Sequence, residues 1–274
     1  MTTTAPHPVS AMPSVEEIDV TASDRVEDID DALMVVHDGF VEAGYLAPTP
    51  SGRRMHASYL NPGTIFFVAR IDGETVGTCA LIADGPFGLP SDRAFAEEND
   101  ALRATVDGPI YEAGSLAVRQ AYRRSTRRIV MRLFAAMTRV ALAEFPDAPV
   151  PLAVTPENRR FYSAMAGALD IAGPRPLYGA PAELLQTGGR ALASHCALRA
   201  TPTQRAMDTL LTERDPGWFM DHRSRLPLPS DWLGALMDEQ GVTDALAAQI
   251  RLLAERYPDA LARILSAART KAAA

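Results

Sequence analysis

Apolar positions along the chain alternate in some blocks and recur at helical spacing in others, so the pattern predicts a mixed architecture. Val15–Ala22 reads as a first strand. From Arg25, apolar residues at Val26, Ile29, Leu33, Val36 and Phe40 follow a helical period that Gly44 closes. A polar loop carrying Gly52, Arg53 and Arg54 comes next. Thr64–Ile71 is β-branched and aromatic, Asp72-Gly73 is a two-residue hairpin signal, and Glu74–Ala83 returns as the partner strand. Residues 84–109 break the pattern with Gly85, Pro86, Gly88 and Pro90, followed by a short helix from about Ser91 to Arg103. Ile110–Val118 is a further strand, with a bulge expected at Gly114.

The second half continues in the same manner. Thr126–Glu144 is helical, with Ile129, Val130, Leu133, Phe134, Met137, Val140 and Ala141 on one face. A strand at Val150–Thr155 and a helix at Pro156–Ala168, with proline in its first turn, follow. Two more strands are expected at Asp170–Tyr178 and Arg190–Arg199, and no internal repeat is visible. Beyond Thr201 only helices are expected: Leu246, Ile250, Leu253 and Tyr257 form an apolar stripe, and Pro258 opens a last helix with Leu261, Ile264 and Leu265. Residues 1–14, rich in Thr, Pro, Ser and Ala, read as a disordered tail. The chain thus divides into a tail (1–14), a main domain (15–200) and a helical extension (201–274), the last read as a surface cap in preference to a lid or dimer element.

Composition narrows the classes. At 47% hydrophobic and 22% charged, the sequence is that of a globular protein. Its net charge of -7 argues against a nucleic-acid partner, although arginines crowd locally around residues 119–139. No cationic start precedes an apolar core and no apolar run approaches the ~18–20 residues of a membrane span. A cytoplasmic location is therefore expected. Cys79 and Cys196 lie in apolar runs as expected buried free thiols, and His37, His56, His195 and His222 show no metal spacing.

Three segments carry a resemblance: VARIDGETVGTCAL (Val68–Leu81), AGSLAVRQAYRRSTRR (Ala113–Arg128) and TPENRRFYSAMAGA (Thr155–Ala168). In this order and spacing they resemble the central hairpin, the donor-binding strand and loop, and the asparagine-to-tyrosine helix of GNAT acyltransferases over about Val15–Arg199. The resemblance implies an α/β (α+β) fold, a mostly antiparallel twisted sheet flanked by helices, here with the helical extension behind it. The donor loop departs from the family. Where most members place glycines whose amides cradle the pyrophosphate of coenzyme A, this chain has Arg123-Arg124-Ser125-Thr126-Arg127-Arg128. A lone phosphodiester, as on an acyl carrier protein, makes less demand on backbone approach. The insert at Asp84–Arg103 and Glu112 heading the next strand resemble the N-acyl amino acid synthases and, more distantly, the acyl-homoserine-lactone synthases.

That resemblance implies a long-chain acyl transfer from acyl carrier protein to an amino acid's α-amine, with acyl-phosphopantetheine or acyl-CoA as donor substrate, no tightly bound cofactor and no metal. Glu112 is the expected base for the amine and Tyr162 the expected acid for the leaving thiolate. The alternatives are a structural carboxylate and a packing aromatic. Backbone amides of Leu116 and Val118 would receive the pantetheine arm or the thioester oxygen. Asn158 would orient the pantetheine amide or cap its helix. Arg123, Arg124, Arg127 and Arg128 would meet phosphate or an acidic carrier at a helix N-terminus, where cations alone are disfavoured; Arg159 and Arg160 would extend that patch. Two rival readings stay open: a conventional acetyl-CoA-dependent N-acetyltransferase, and a non-catalytic acyl- or carrier-binding module.

Overall fold

The turn at Asp72-Gly73 sets the register of the first sheet. In the computed structural model, which describes residues 18–23, 26–61, 63–85 and 87–212, both turn residues take positive φ, 51° and 81°. Such a turn matches the twist of an antiparallel pair, here β2 (Ile65–Ile71) and β3 (Glu74–Ala83). β1 (Asp19–Ser23) pairs with β2, and β4 (Tyr111–Val118) pairs with β3, giving the antiparallel order β1-β2-β3-β4. A second antiparallel sheet runs β5-β7-β6, from β5 (Val150–Val154), β6 (Leu169–Leu177) and β7 (Ala180–Thr187). β5 lies beside β4, but no ladder joins them among the described residues. The sheets part along that edge, and the candidate site lies there.

Helices close both faces. α1 (Val26–Glu42), α2 (Asp92–Arg103) and α3 (Thr126–Glu144) are the longest described. α3 lays Ile129, Leu133, Phe134, Met137 and Val140 against Phe67, Ala69, Cys79 and Leu81 of the first sheet. Alternation along β2 sends Phe66 and Val68 to the opposite face, where α1 packs. Phe66, Phe67, Ile129 and Leu133 are at most 1% exposed, each burial contributing about 1.5–3 kcal/mol. The strand that carries the site is thereby fixed from both sides.

Three expectations need correction. Arg190–Arg199 is not a strand: it belongs to α5 (Gly189–Ala197), and the strand precedes it as β7. Leu192 and Cys196 are the buried pair at helical spacing, and the alanines around them favour helix. The helix expected at Pro156–Ala168 is shorter, a 3-10 turn at Pro156–Asn158 and then α4 (Arg159–Ala166). The bulge in β4 falls one residue beyond Gly114: Gly114 still pairs with Ala80, while Ser115 takes φ 55° opposite the slip between Thr78 and Ala80. α6 (Pro202–Thr212) follows α5 as expected. The tail at 1–14, the stripe at Leu246–Tyr257 and the last helix lie outside the described residues. Among those described, no helix is long and apolar enough to cross a membrane, and no group of His, Cys, Asp or Glu could hold a metal ion.

Candidate active site

Glu112 sits on β4 opposite Ile82 and is 3% exposed. Its two oxygens differ. Oε2 accepts from the Ser91 amide at 2.9 Å and from Ser91 Oγ at 2.6 Å. Oε1 accepts no hydrogen bond among the described residues and faces Gly114, where an added Cβ would lie 4.0 Å from it. Burial pushes the carboxyl up to about 7, against the pull of the two Ser91 bonds. A carboxylate tethered by one oxygen and free at the other suits proton exchange near neutral pH.

The clamp comes from the insert between β3 and β4. Ser91 holds the N-cap position of α2, yet its side chain makes no cap bond. It donates to Glu112 and accepts from Asn99 Nδ2 at 2.8 Å. Arg103, at the other end of α2, joins Asp84 and Asp92, each at 2.7 Å. Arg175 of β6 ties the helix from outside through Glu98 at 2.5 Å and stacks 5.0 Å over the buried Phe95 ring.

Between β4 and β5 a cleft of about 150 Å³ is lined by Phe40, Ser115, Leu116, Thr155, Asn158 and Tyr162, among others. Tyr162 packs its ring 5.7 Å from Phe134 and 5.3 Å from Phe161. Its hydroxyl finds no hydrogen-bond partner among the described residues, and burial raises its pKa, so the phenol stays protonated. Packing and cleft-lining thus coexist in this one side chain. Leu116 lines the cleft. Arg119 N donates to Val76 O at 2.8 Å, so in the alternating ladder the Val118 amide points away from β3. Asn158 makes no side-chain cap for α4; its Nδ2 donates to Thr155 Oγ1 at 2.9 Å and the residue borders the cleft.

The arginines do not act as one group. The loop before α3 coils into a 3-10 turn (Gln120–Ser125), and no side chain caps α3. Arg123 pairs with Glu42 at 2.5 Å, and Arg127 donates to Thr203 Oγ1 at 2.7 Å. Arg124 and Arg128 are exposed at the same helix end. Arg159 pairs with Asp170, which takes it out of the patch, while Arg160 is exposed.

Sequence reasoning missed several groups around Glu112. Tyr59 donates or accepts at 2.6 Å with Ser115 Oγ of the bulge. His56 is a half-buried, satisfied histidine whose Nδ1 accepts from the Ser58 amide at 3.2 Å and whose Nε2 lies 2.5 Å from Tyr178 Oη. Burial and the nearby Arg54 and Arg93 lower its pKa to about 3. These contacts join residues 56 to 178, so no local sequence signal carries them. Cys79 and Cys196 are free, buried thiols.

A family model for the N-acyl amino acid synthase FeeM matches residues 31–187. The chain belongs to that family. The match spans β2 to β7, the α2 insert, the cleft and Glu112, and it makes the protein an acyltransferase of the N-acyl amino acid synthase type. Among solved structures, FeeM itself, an N-acyl amino acid synthase from uncultured soil microbes, is 23% identical, with TM-score 0.55 over 65% of this chain and 93% of its own. The acyl-homoserine-lactone synthase LasI shares the fold at 13% identity and TM-score 0.50, over 65% of this chain and 92% of its own. MesI, a CoA-dependent acyl-homoserine lactone synthase, does so at 11% identity and TM-score 0.50, over 74% of this chain and 99% of its own. No curated protein matches the sequence.

Proposed function

We propose that the protein transfers a long-chain acyl group from the phosphopantetheine arm of an acyl carrier protein to the α-amine of a free amino acid, in the cytoplasm. The observation that carries this reading is the half-tethered Glu112, poised at about 7 beside the bulge of β4. An amino acid's amine is protonated at neutral pH. Glu112 Oε1 takes that proton, directly or through one water, and the freed nitrogen attacks the thioester carbonyl. The C–N bond forms and negative charge gathers on the carbonyl oxygen, where backbone amides of Leu116 or Val118 stabilise it. Collapse breaks the C–S bond; the protonated Tyr162 hydroxyl gives its proton to the departing thiolate and regains one from the attacking nitrogen, directly or through water, which leaves a neutral amide, a free thiol and the phenol restored.

The donor assignment draws on the loop. With no glycine and a 3-10 turn in place of an open cradle, its side chains hinder two adjoining phosphates more than one. Arg124 and Arg128, exposed at the N-terminus of α3, offer positive charge to a phosphodiester and an acidic carrier surface. A CoA donor is the second reading, favoured by the fold shared with the CoA-dependent MesI. Parallel incubations with acyl carrier protein and acyl-CoA, each over a pool of amino acids, separate the two by mass spectrometry of products. Faster turnover with the carrier supports the first reading, and turnover with CoA alone replaces it with the second.

A further inference from the structure

Two guanidiniums lie over one aromatic ring, that of Tyr178. Arg54, 5% exposed, lies 4.8 Å from the centroid of Tyr178 and 5.9 Å from that of Phe40, which itself borders the cleft. Arg93, on the first turn of α2, lies 5.6 Å from the same Tyr178 ring. Arg93 is exposed and makes no hydrogen bond or ion pair among the described residues. Cation–aromatic contact accounts for one cation on a ring. It leaves the exposed Arg93 guanidinium without an anionic partner among the described residues.

Tyr178 is held in place at some cost. It adopts φ 48°, a left-handed conformation in which a bulky residue is an outlier, at the turn between β6 and β7. His56 fixes the ring by its hydroxyl. Because Nδ1 accepts from Ser58, the neutral imidazole carries its proton on Nε2 and donates it to Tyr178 Oη, which in turn donates to Pro90 O at 2.9 Å. The neighbour of Pro90 is Ser91, whose amide and hydroxyl hold Glu112. Consecutive residues thus anchor the aromatic platform and the base.

An amino acid bears its amine and carboxylate on one carbon, so a site for the carboxylate must lie within a few ångströms of the base that deprotonates the amine. Resting on the amino-acid acceptor reading above, we propose that Arg93, held over the Tyr178 ring, binds the α-carboxylate of the acceptor. A bound carboxylate gives Arg93 that anionic partner, and its planar guanidinium suits two-point binding. Asp92, the next acidic neighbour, is bound to Arg103 and does not compete.

The test uses two acceptors with one side chain, an amino acid that the enzyme acylates and the matching amine without the carboxylate. Arg93 is exposed, so Arg93→Ala should fold, which circular dichroism checks. The expected result is a KM for the amino acid raised about 10- to 100-fold, the scale of one charge-assisted hydrogen bond, with kcat little changed. The KM for the amine should stay put, and Arg93→Lys should restore part of the loss. Equal KM increases for both acceptors, or a wild type that treats them alike, would overturn the carboxylate site and leave the acyltransferase reading standing. A wild type that acylates amines but no free amino acid would instead sink the acceptor assignment itself, and the carboxylate site with it.

Discussion

Ser91→Ala removes the 2.6 Å hydroxyl bond to Glu112 Oε2 and leaves the amide bond from the same residue. Both bonds favour the ionised carboxylate and oppose the burial that raises its pKa to about 7. A hydrogen bond to a charged group contributes about 1.5–3 kcal/mol, and one pKa unit corresponds to about 1.4 kcal/mol. Losing the hydroxyl should therefore move Glu112 upward by about one to two units. Glu112 acts as a base only when deprotonated, so the acidic limb of kcat/KM against pH should shift alkaline by that amount. At pH 7 the ionised fraction falls from about one half to between about 1% and 10%, a loss of about 5- to 50-fold that recovers near pH 9. Steady-state rates from pH 5.5 to 9.5 with a saturating donor measure it. An acidic limb that stays in place would refute the reasoning, because the titrating base would then lie elsewhere.

Glu112→Gln should keep the Ser91 bonds through its amide oxygen and lower the chemical step by about 10²- to 10⁴-fold. It should also stabilise the fold at alkaline pH. The native carboxyl titrates near 7 against an ordinary 4.5, so the native state holds the proton more tightly and wild-type stability falls as pH rises through that window. About 2.5 units amount to roughly 3 kcal/mol, so thermal unfolding at pH 8 should occur at a higher temperature in the variant; an equal or lower Tm would contradict the burial argument. Tyr162→Phe should slow thiolate departure and spare donor binding, and an unchanged rate with a poor leaving group would make the residue a packing aromatic only. Arg124→Glu with Arg128→Glu should raise the carrier KM far more than it lowers kcat, and rising salt should mimic it over a Debye length of about 8–10 Å. Equal loss with a short pantetheine thioester would mean that these arginines support the helix end and not the carrier.

Much of the fold was legible because α3 and the β2–β3 hairpin declare themselves locally, one by a 3.6-residue stripe and the other by Asp72-Gly73 between alternating strands. α5 was misread because a ten-residue stretch with three alanines and scattered apolar residues satisfies either period, and packing on α3 decides it. Glu112 could be singled out by its place before Gly114. Its clamp could not, since Ser91 reads only as the start of a short helix and its partner lies 21 residues away. Arg123 and Arg127 look like anion ligands in the sequence, yet Glu42 and Thr203 reach them from other helices. Asn158 looks like a cap and bonds Thr155 Oγ1 instead. Sequence reading fails at these points for one reason: the partner of each polar group is chosen by the fold and not by spacing.

The central claim is amide formation between a carrier-borne acyl chain and a free amino acid, with Glu112 as the base. Mass spectrometry of single-turnover reactions, quenched over time, follows the N-acyl amino acid and the freed carrier thiol together. The account predicts that both appear in equal amounts and at one rate in the wild type, and that both slow together in Glu112→Gln by about 10²- to 10⁴-fold. Thiol release without amide, or amide formation at the wild-type rate in Glu112→Gln, would contradict it.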